Sequence, residues 1–325
     1  MNLNTAKQKI FKAKSILISG HMNPDGDSVG SMLALGLGLE QLGKNVFMIS
    51  ADGIPRPYMF LPGASYVKTK IEKQNIDLAI SVDCGSVELL GNSKKYFKKA
   101  KYIIEIDHHE FRTPFGNLAI IEKEAAAVGE IIFKFLYKLN IKITPQIAQN
   151  ILTSIIVETN SFRLNNVRPY TFEICAKLMK AGINYYKLAE MVYWSKAKEA
   201  ALLTGLALSK CQFIKRGKIV YSIIRKKDFG SIKAKKEDVD AVAGDMLSIK
   251  GVRIAVFFRE AANNVLRVSL RSKGPINIAS IANYYGGGGH FDVAGCHIPN
   301  KNSKINELLK LTQELLLASR NHDGK

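Results

Sequence analysis

Cysteine is scarce in this sequence, and its positions exclude two classes of site. The cysteines stand far apart, at Cys84, Cys175, Cys211 and Cys296. No two have the spacing of a zinc finger or of a dithiol redox motif. We therefore expect four reduced, small side chains in the protein interior, and neither a disulfide framework nor a thiolate metal site.

Long apolar runs are also lacking. No stretch approaches the ~20 consecutive apolar residues of a membrane span. The N-terminal lysines lead into a short apolar run that ends in an acid-rich loop instead of a small-residue cleavage site. This pattern predicts a helix followed by a strand, not a signal peptide. We expect a cytoplasmic protein with no membrane partner.

Acidic residues are few relative to basic ones. Asp and Glu number 28 against 47 Lys and Arg, which gives a net charge of +19. Such a surface attracts polyanions, for example nucleic acid, nucleotides or an anionic membrane. Local clusters such as KKYFKKAK and RKKDFGSIKAKK fit this role, but each also fits a solvated lysine-rich surface.

The arrangement of apolar segments predicts an α/β fold. At 325 residues the chain can form two domains of ordinary size. Apolar runs such as SILISG, KNVFMIS and IDLAISVDCGS alternate with helical patterns, which predicts a parallel sheet with helices on both faces. Residues 125–194 have mostly helical patterns. We place a first domain at 1–190, a helical linker at 191–212, and a smaller α+β C-terminal domain at 213–325.

Acids and imidazoles follow three of the predicted strands. They are His21, Asp25 and Asp27 in HMNPDGDSVGS, Asp83 in SVDCGS, and Asp107, His108 and His109 in IEIDHHE. Because the carboxyl ends of parallel strands meet at one edge of a sheet, these side chains should face one crevice. Clustered carboxylates are costly unless a cation neutralises them, and mixed carboxylate and imidazole ligands suit Mn²⁺ or Mg²⁺. The ligands suffice for two ions bridged by one carboxylate.

Each motif alone has a simpler interpretation. NPDGD is a common turn sequence, DHH can be a polar strand end, and Asp83 can cap the following helix. Three such clusters, each after an apolar strand, favour the metal site over coincidence.

The three motifs resemble those of the DHH phosphoesterase family. HMNPDGDSVGS resembles the family's first motif, SVDCGS its second and DHH its signature third. SLRSKGPINIASIANYYGGGGHFDVAGC resembles the DHH-associated C-terminal domain. In length and layout the chain is most similar to the NrnA-type oligoribonuclease (nanoRNase) and pAp-phosphatase subgroup.

The resemblance implies a site with two Mn²⁺ ions. It assigns His21, Asp25 and Asp83 to one ion, and Asp27, the bridging Asp83 and His108 to the other. It further implies that Asp107 orients His108 and that His109 lies close to the scissile phosphate. The family's fourth motif carries an Asp in a DTG-like context; here IIVETNSFR offers Glu158, which we assign to the second ion. The alternative is a surface glutamate on a helix.

In the C-terminal domain the resemblance implies a site that binds the nucleotide. Glycines allow close backbone approach and present N–H groups to anions. We predict that the glycines of the GGGGH run, the histidine after them and a polar pair upstream bind substrate. These residues are Gly287, Gly288, Gly289, His290, Arg271 and Ser272. The bare glycine run can also be a flexible loop, and the last motif reads VAG where the family has AAG.

The implied activity is Mn²⁺-dependent hydrolysis of short oligoribonucleotides to mononucleotides, and of pAp to AMP. The expected partners are short single-stranded RNA and nucleotides. The sequence is compatible with a homodimer but does not decide the oligomeric state. The alternatives are a hydrolase of cyclic or linear dinucleotide messengers and a non-catalytic nucleotide-binding protein. A nicotinamide-dependent oxidoreductase is excluded because acids occupy the turn where GxGxxG would stand.

Overall fold

The structure is a computed structural model that describes residues 2–72, 75–110, 112–194, 197–232, 242–261, 263–289 and 291–320. It divides into two compact units, Met1–Ser195 and Lys196–Lys325. Each unit has hydrophobic clusters of its own.

The first unit is built on a five-stranded parallel sheet with the order β2-β1-β3-β4-β5. Its strands are β1 (Ser15–Ser19), β2 (Asn45–Ile49), β3 (Leu78–Val82), β4 (Ile103–Asp107) and β5 (Leu118–Ile121). Alternate residues of β1 enter different clusters: Ile16 and Ile18 pack on one side and Leu17 on the other. Both faces are therefore covered, which confirms the predicted α/β fold.

The α-helices of the first unit include those of residues 125–194, which the sequence predicts to be mostly helical. They are α1 (Asn2–Lys12), α2 (Gly26–Glu40), α3 (Lys94–Phe97), α4 (Val128–Lys138), α5 (Pro145–Glu158), α6 (Pro169–Lys180) and α7 (Tyr185–Tyr193). Helices α2 and α5 pack closely because α2 carries glycine at the contact. A Cβ on Gly30 would stand 2.4 Å from the carbonyl oxygen of Asn150. This close packing places the start of α2 beside the last turns of α5.

The second unit contains a six-stranded mixed sheet with the order β10-β11-β9-β8-β7-β6. Its strands are β6 (Gln212–Ile214), β7 (Ile219–Ile224), β8 (Ile254–Glu260), β9 (Val265–Ser272), β10 (Gly288–Gly289) and β11 (Val293–Pro299). Only the pair β7–β8 is parallel among the described pairs. The mixed sheet confirms the predicted α+β architecture of the C-terminal domain.

Helices cover the second sheet unequally. They are α8 (Lys198–Ser209), α9 (Lys226–Ile232), α10 (Val242–Leu247), α11 (Ala279–Tyr284) and α12 (Asn302–Arg320). Side chains of α11 and α12 join one hydrophobic cluster, and those of α8 and α10 join another. The predicted linker 191–212 thus spans the end of α7 in the first unit and all of α8 in the second. In the described part of the chain, no helix is both long and apolar enough to cross a membrane.

Candidate metal centre

The carboxyl ends of β1, β3 and β4 bring the predicted site residues of the first unit together. Since the three strands are adjacent and parallel, the residues after them share one edge of the sheet. Ligand atoms within 4.8 Å of one another form two groups with Asp83 in common. These groups are His21, Asp25 and Asp83, and Asp83, His108 and His109.

The first group is organised around His21. Its Nε2 atom lies 3.5 Å from Asp83 Oδ2 and 3.8 Å from Asp25 Oδ1. Its Nδ1 atom lies 2.8 Å from the carbonyl oxygen of Met22. A carbonyl oxygen only accepts, so Nδ1 carries the donated proton and Nε2 faces the two carboxylates. Asp25 also caps helix α2, where its Oδ1 accepts from the N–H groups of Asp27 and Ser28.

Three carboxylates converge on His108, which belongs to the second group. Its Nε2 atom lies 3.8 Å from Asp27 Oδ2, 3.9 Å from Asp83 Oδ1 and 3.9 Å from Glu158 Oε1. Its Nδ1 atom lies 3.1 Å from the carbonyl oxygen of Ala125, which fixes the tautomer in the same way. Glu158, which ends helix α5, therefore contributes a carboxylate where the fourth motif predicts one.

Asp27 is held by four donors. Its side chain is fully buried, and Oδ2 accepts from the N–H of Val128 at 2.9 Å. Oδ1 accepts from the hydroxyls of Ser154 at 2.6 Å and Ser31 at 3.0 Å, and from the N–H of Gly129 at 3.3 Å. The N-terminus of α4 thus stabilises this carboxylate. Sequence reasoning missed these donors; only Ser31, one helical turn after Asp27, has a spacing that predicts the contact.

Asp83 connects the two groups and has an uncommon backbone. Its φ is 53°, in the left-handed region that non-glycine residues seldom adopt. Its N–H donates to the carbonyl oxygen of Ile106, so the pairing of β3 with β4 continues up to this residue. The side chain is 3% exposed and lies between the imidazoles of His21, His108 and His109. Backbone strain at such a position is typical of functional sites.

Asp107 orients a different imidazole from the one we expected. Its Oδ1 accepts from the Nδ1 of His109 at 2.6 Å and from the backbone N–H groups of both His108 and His109. The expectation that Asp107 orients the ring of His108 is therefore wrong, because that ring bonds to Ala125 instead. Asp107 Oδ2 is buried without a hydrogen bond to any described residue and lies 3.8 Å from Arg112 Nε.

The pKa values of the cluster reflect its crowded negative charge. Burial, and then repulsion by Asp83, raises the pKa of Asp27 to about 7. Burial alone would lower the pKa of His21, but its attraction to the carboxylates of Asp25 and Asp83 outweighs burial and raises this pKa to about 11. For His109 the bond to Asp107 similarly outweighs burial and raises the pKa to about 9. The clustered carboxylates thus stabilise a positively charged group that lies between them.

This donor set fits divalent cations. The contacts of 3.5–3.9 Å around His21 Nε2 and His108 Nε2 are too long for hydrogen bonds. Two ligand atoms that share an ion at about 2.1 Å stand about 3.0–4.2 Å apart in octahedral geometry. In the neutral form of each imidazole the proton is on Nδ1, which faces a carbonyl oxygen, so the Nε2 lone pair can bind a metal ion that replaces the second proton. The site is therefore a candidate centre for two divalent ions.

The substrate-binding residues predicted in the second unit are only partly brought together. Arg271 and Ser272 are neighbours on β9 and so point to opposite faces of the sheet. Ser272 is buried and donates its hydroxyl to the carbonyl oxygen of Ile276 at 2.7 Å. The prediction that Ser272 helps to clamp phosphate is therefore wrong. Arg271 is half-buried on the other face, and His290 lies outside the described residues.

The glycine run packs against backbone. A Cβ on Gly287 would stand 2.2 Å from the carbonyl oxygen of Gly295, and one on Gly289 would stand 2.3 Å from that of Val293. These two glycines permit close pairing of β10 with β11. Gly286 and Gly288 are exposed and have no such neighbour, so these two members of the run are open to a ligand.

Two domain models match most of the chain. The DHH family, N-terminal domain matches residues 15–156 and the DHHA1 domain matches residues 216–318. The bifunctional oligoribonuclease and PAP phosphatase NrnA of Thermus thermophilus is 29% identical over 86% of this chain and 83% of its own length. The Bacillus subtilis protein of the same name is 26% identical over 87% of this chain and 89% of its own.

A solved structure has the same fold. It is an exopolyphosphatase-related protein from Bacteroides fragilis, with a TM-score of 0.89 and 23% identity, and the match covers 98% of this chain and 96% of that one. The fold, the two domain matches and the strand-end cluster agree. The chain is a hydrolase of the DHH phosphoesterase family with a C-terminal DHHA1 domain.

Proposed function

We propose that the protein hydrolyses short oligoribonucleotides to mononucleotides, and pAp to AMP, with two Mn²⁺ ions; Mg²⁺ is the alternative. The observation that carries the proposal is the convergence of three carboxylate oxygens, at 3.8–3.9 Å, on His108 Nε2. The named activities of the two similar curated proteins support the substrate class.

Two overlapping sets of side chains would hold one ion each. His21, Asp25 and Asp83 would hold the first ion, since both carboxylates face His21 Nε2. Asp27, Asp83, His108 and Glu158 would hold the second. Divalent ions in such a pair lower the pKa of water and neutralise phosphoryl oxygens.

The remaining residues would position the reacting groups. The ring of His109 is fixed by Asp107 and lies 3.7 Å from Asp83 Oδ1, at the border of the ligand cluster. In that place its imidazole would contact a non-bridging oxygen of the scissile phosphate and balance charge that develops there. The buried carboxylates would keep water access limited, because Asp27 and Asp83 have almost no exposed surface.

The net charge supports an anionic substrate. A charge of +19 raises the local concentration of short polyanions and speeds their capture. Charge alone does not rank RNA, pAp and cyclic dinucleotides, so the substrates must be compared in one assay.

The test is hydrolysis by purified protein with Mn²⁺. A labelled 5′-phosphorylated RNA dinucleotide, an RNA pentanucleotide, pAp and cyclic di-AMP are offered in parallel, and an Asp83→Ala variant is the control. The proposal predicts release of mononucleotide from the RNA substrates and of phosphate from pAp, lost in the variant. Turnover of cyclic di-AMP alone would favour the dinucleotide-messenger alternative. Nucleotide binding without turnover of any substrate would favour the non-catalytic alternative.

A further inference from the structure

Strand β4 carries two buried acids on one side of the first sheet. Ile104 and Ile106 enter the hydrophobic cluster on one side of the strand, so Glu105 and Asp107 point to the other side. Glu105 has no exposed surface, and Asp107 is 1% exposed. Two carboxylates in such a place are costly unless a cation lies beside them.

Arg112 supplies a cation to both acids. Its side chain is 11% exposed, and one of its terminal nitrogens forms an ion pair with Glu105 Oε2. Glu105 is itself fixed, because its Oε1 accepts from the N–H groups of Phe115 at 3.1 Å and Gly116 at 2.6 Å. The guanidinium is therefore held by a carboxylate that cannot turn freely.

The backbone beside Arg112 is anchored close to the metal centre. Thr113 donates its N–H to the carbonyl oxygen of Gly85 at 2.8 Å, and Gly85 follows Asp83 by two residues. The end of β3 and the side chain of Glu105 thus both restrain the position of the guanidinium.

Two buried polar atoms face each other near this guanidinium without a hydrogen bond. Asp107 Oδ2 and Arg112 Nε each lack a hydrogen-bond partner among the residues that the structure describes. They lie 3.8 Å apart. Nε–H is a donor and the carboxylate oxygen is an acceptor. A movement of about 0.9 Å would bring them to the length of a charge-assisted hydrogen bond, about 2.9 Å.

The other oxygen of Asp107 fixes an imidazole. Oδ1 accepts from the Nδ1 of His109 at 2.6 Å. Because a carboxylate is planar, a restraint on Oδ2 also sets the direction of Oδ1. A restraint on Asp107 from Arg112 is therefore passed on to the ring of His109.

We infer that Arg112 is a positioning residue for His109. It holds Asp107 through Oδ2, while Asp107 holds the imidazole through Oδ1. The inference rests on the proposed role of His109 at the scissile phosphate and deepens it. Arg112 acts through Asp107 and needs no contact with the substrate.

The experiment measures kcat and KM for the RNA dinucleotide at saturating Mn²⁺. Arg112→Gln should lower kcat about ten- to a hundredfold, as a small misplacement of a reacting group does. KM should stay within about twofold, because the ring of His109 acts mainly in the transition state. Arg112→Lys keeps the charge and should lose less. The matched control is Lys101→Gln, which removes the exposed ion pair with Asp77 before β3 and should leave kcat unchanged.

A double-mutant cycle separates positioning from general stabilisation. In His109→Asn protein, adding Arg112→Gln should cause no further loss of kcat, because the ring that Asp107 positions is gone. A merely structural role of Arg112 would give the same loss in both backgrounds. Circular dichroism checks that each variant folds, and Arg112→Lys takes the place of Arg112→Gln in the cycle if the latter does not.

A nuclear magnetic resonance measurement on the metal-free protein tests the same contact without turnover. The Nδ1–H proton of His109, identified by its loss in His109→Asn, should exchange with water faster in the Arg112 variants than in the parent and in Lys101→Gln. This readout still tests Arg112 if the parent hydrolyses no RNA and the proposed function fails. Parental kcat in the folded Arg112 variants, equal losses in both backgrounds, or unchanged proton exchange would overturn the inference.

Discussion

Ser154 is the residue whose removal gives the clearest prediction about the metal centre. It is fully buried on α5, donates its hydroxyl to Asp27 Oδ1 at 2.6 Å and accepts from the N–H of Gly129 at 2.9 Å. Ser154→Ala removes a hydrogen bond to a charged group, worth about 1.5–3 kcal/mol. Asp27 keeps its donors at Val128, Gly129 and Ser31, so it stays in place with less restraint.

We therefore expect Ser154→Ala to weaken binding of the second ion. Partners of metal ligands typically contribute about 10–100-fold in affinity or activity. The assay is RNA dinucleotide hydrolysis as a function of Mn²⁺ concentration. The half-activating concentration should rise by about that factor, while the rate at saturating Mn²⁺ falls much less. Calorimetric titration of the metal-free proteins should likewise show that Ser154→Ala binds Mn²⁺ more weakly than the parent.

The preceding residue offers a matched control. Thr153 is also fully buried on α5, and its hydroxyl donates to the carbonyl oxygen of Gln149 without touching Asp27. Thr153→Val should leave the Mn²⁺ dependence unchanged. If Ser154→Ala has the same Mn²⁺ dependence as the parent, or if both variants shift it equally, the reasoning about Asp27 is refuted.

Three other predictions concern the bridging acid, the packing and the pH dependence of stability. Asp83→Asn should reduce hydrolysis at least about a hundredfold, with circular dichroism as the check on folding; near-parental activity would contradict the bridging role. Gly129→Ala should lower the free energy of unfolding by about 1–3 kcal/mol in urea titrations, because its Cβ would stand 2.1 Å from Ser154 Oγ. The matched change Gly205→Ala lies in a helix at a position with open space around the glycine, and it should raise the free energy of unfolding by about 0.5–1 kcal/mol. The hydrogen bond from Lys101, followed by backbone N–H groups, lowers the pKa of Asp77 to about 2. Asp77 thus stabilises the fold above its unfolded pKa and loses this effect as the pH falls toward 2. The free energy of unfolding of Asp77→Asn should therefore be lower than that of the parent at about pH 6, and the difference should be smaller at about pH 3.

The strand ends were predictable from the sequence because burial on both faces makes parallel strands uniformly apolar. The apolar runs SILISG and IDLAISVDCGS each lead to acidic residues, and the structure ends β1 and β3 before those acids. Parallel pairing then brings the acids to one edge without any knowledge of distances. The convergence on His108 Nε2 follows from this topology, and Glu158 joins it because α5 ends beside it.

Other features of the site depend on tertiary contacts that no local pattern encodes. Ser154 lies 127 residues after Asp27, and Ala125 supplies only a carbonyl oxygen, which every residue has. The resemblance to the family implies that Asp107 orients the neighbouring His108. Adjacent residues after a strand can point in different directions, and the ring that reaches Asp107 belongs to His109.

The burial of Ser272 on the covered face of β9 was predictable from the sequence. Alternation along a strand puts Arg271 and Ser272 on opposite faces, and the pattern VLRVSLRS already alternates apolar and polar residues up to Leu270. The glycine run was harder to interpret, because close approach to a ligand and close approach to a strand require the same residue type. The structure assigns Gly287 and Gly289 to strand pairing.

The most direct test of the two-ion centre is the metal stoichiometry of the protein, measured together with its activity. Metal-free protein is titrated with Mn²⁺ by calorimetry, and RNA dinucleotide hydrolysis is followed on the same samples. The account predicts two Mn²⁺ per chain, activity that appears only with metal, and loss of binding in Asp83→Asn. Full hydrolysis by the metal-free protein, or two ions still bound in Asp83→Asn, would contradict it.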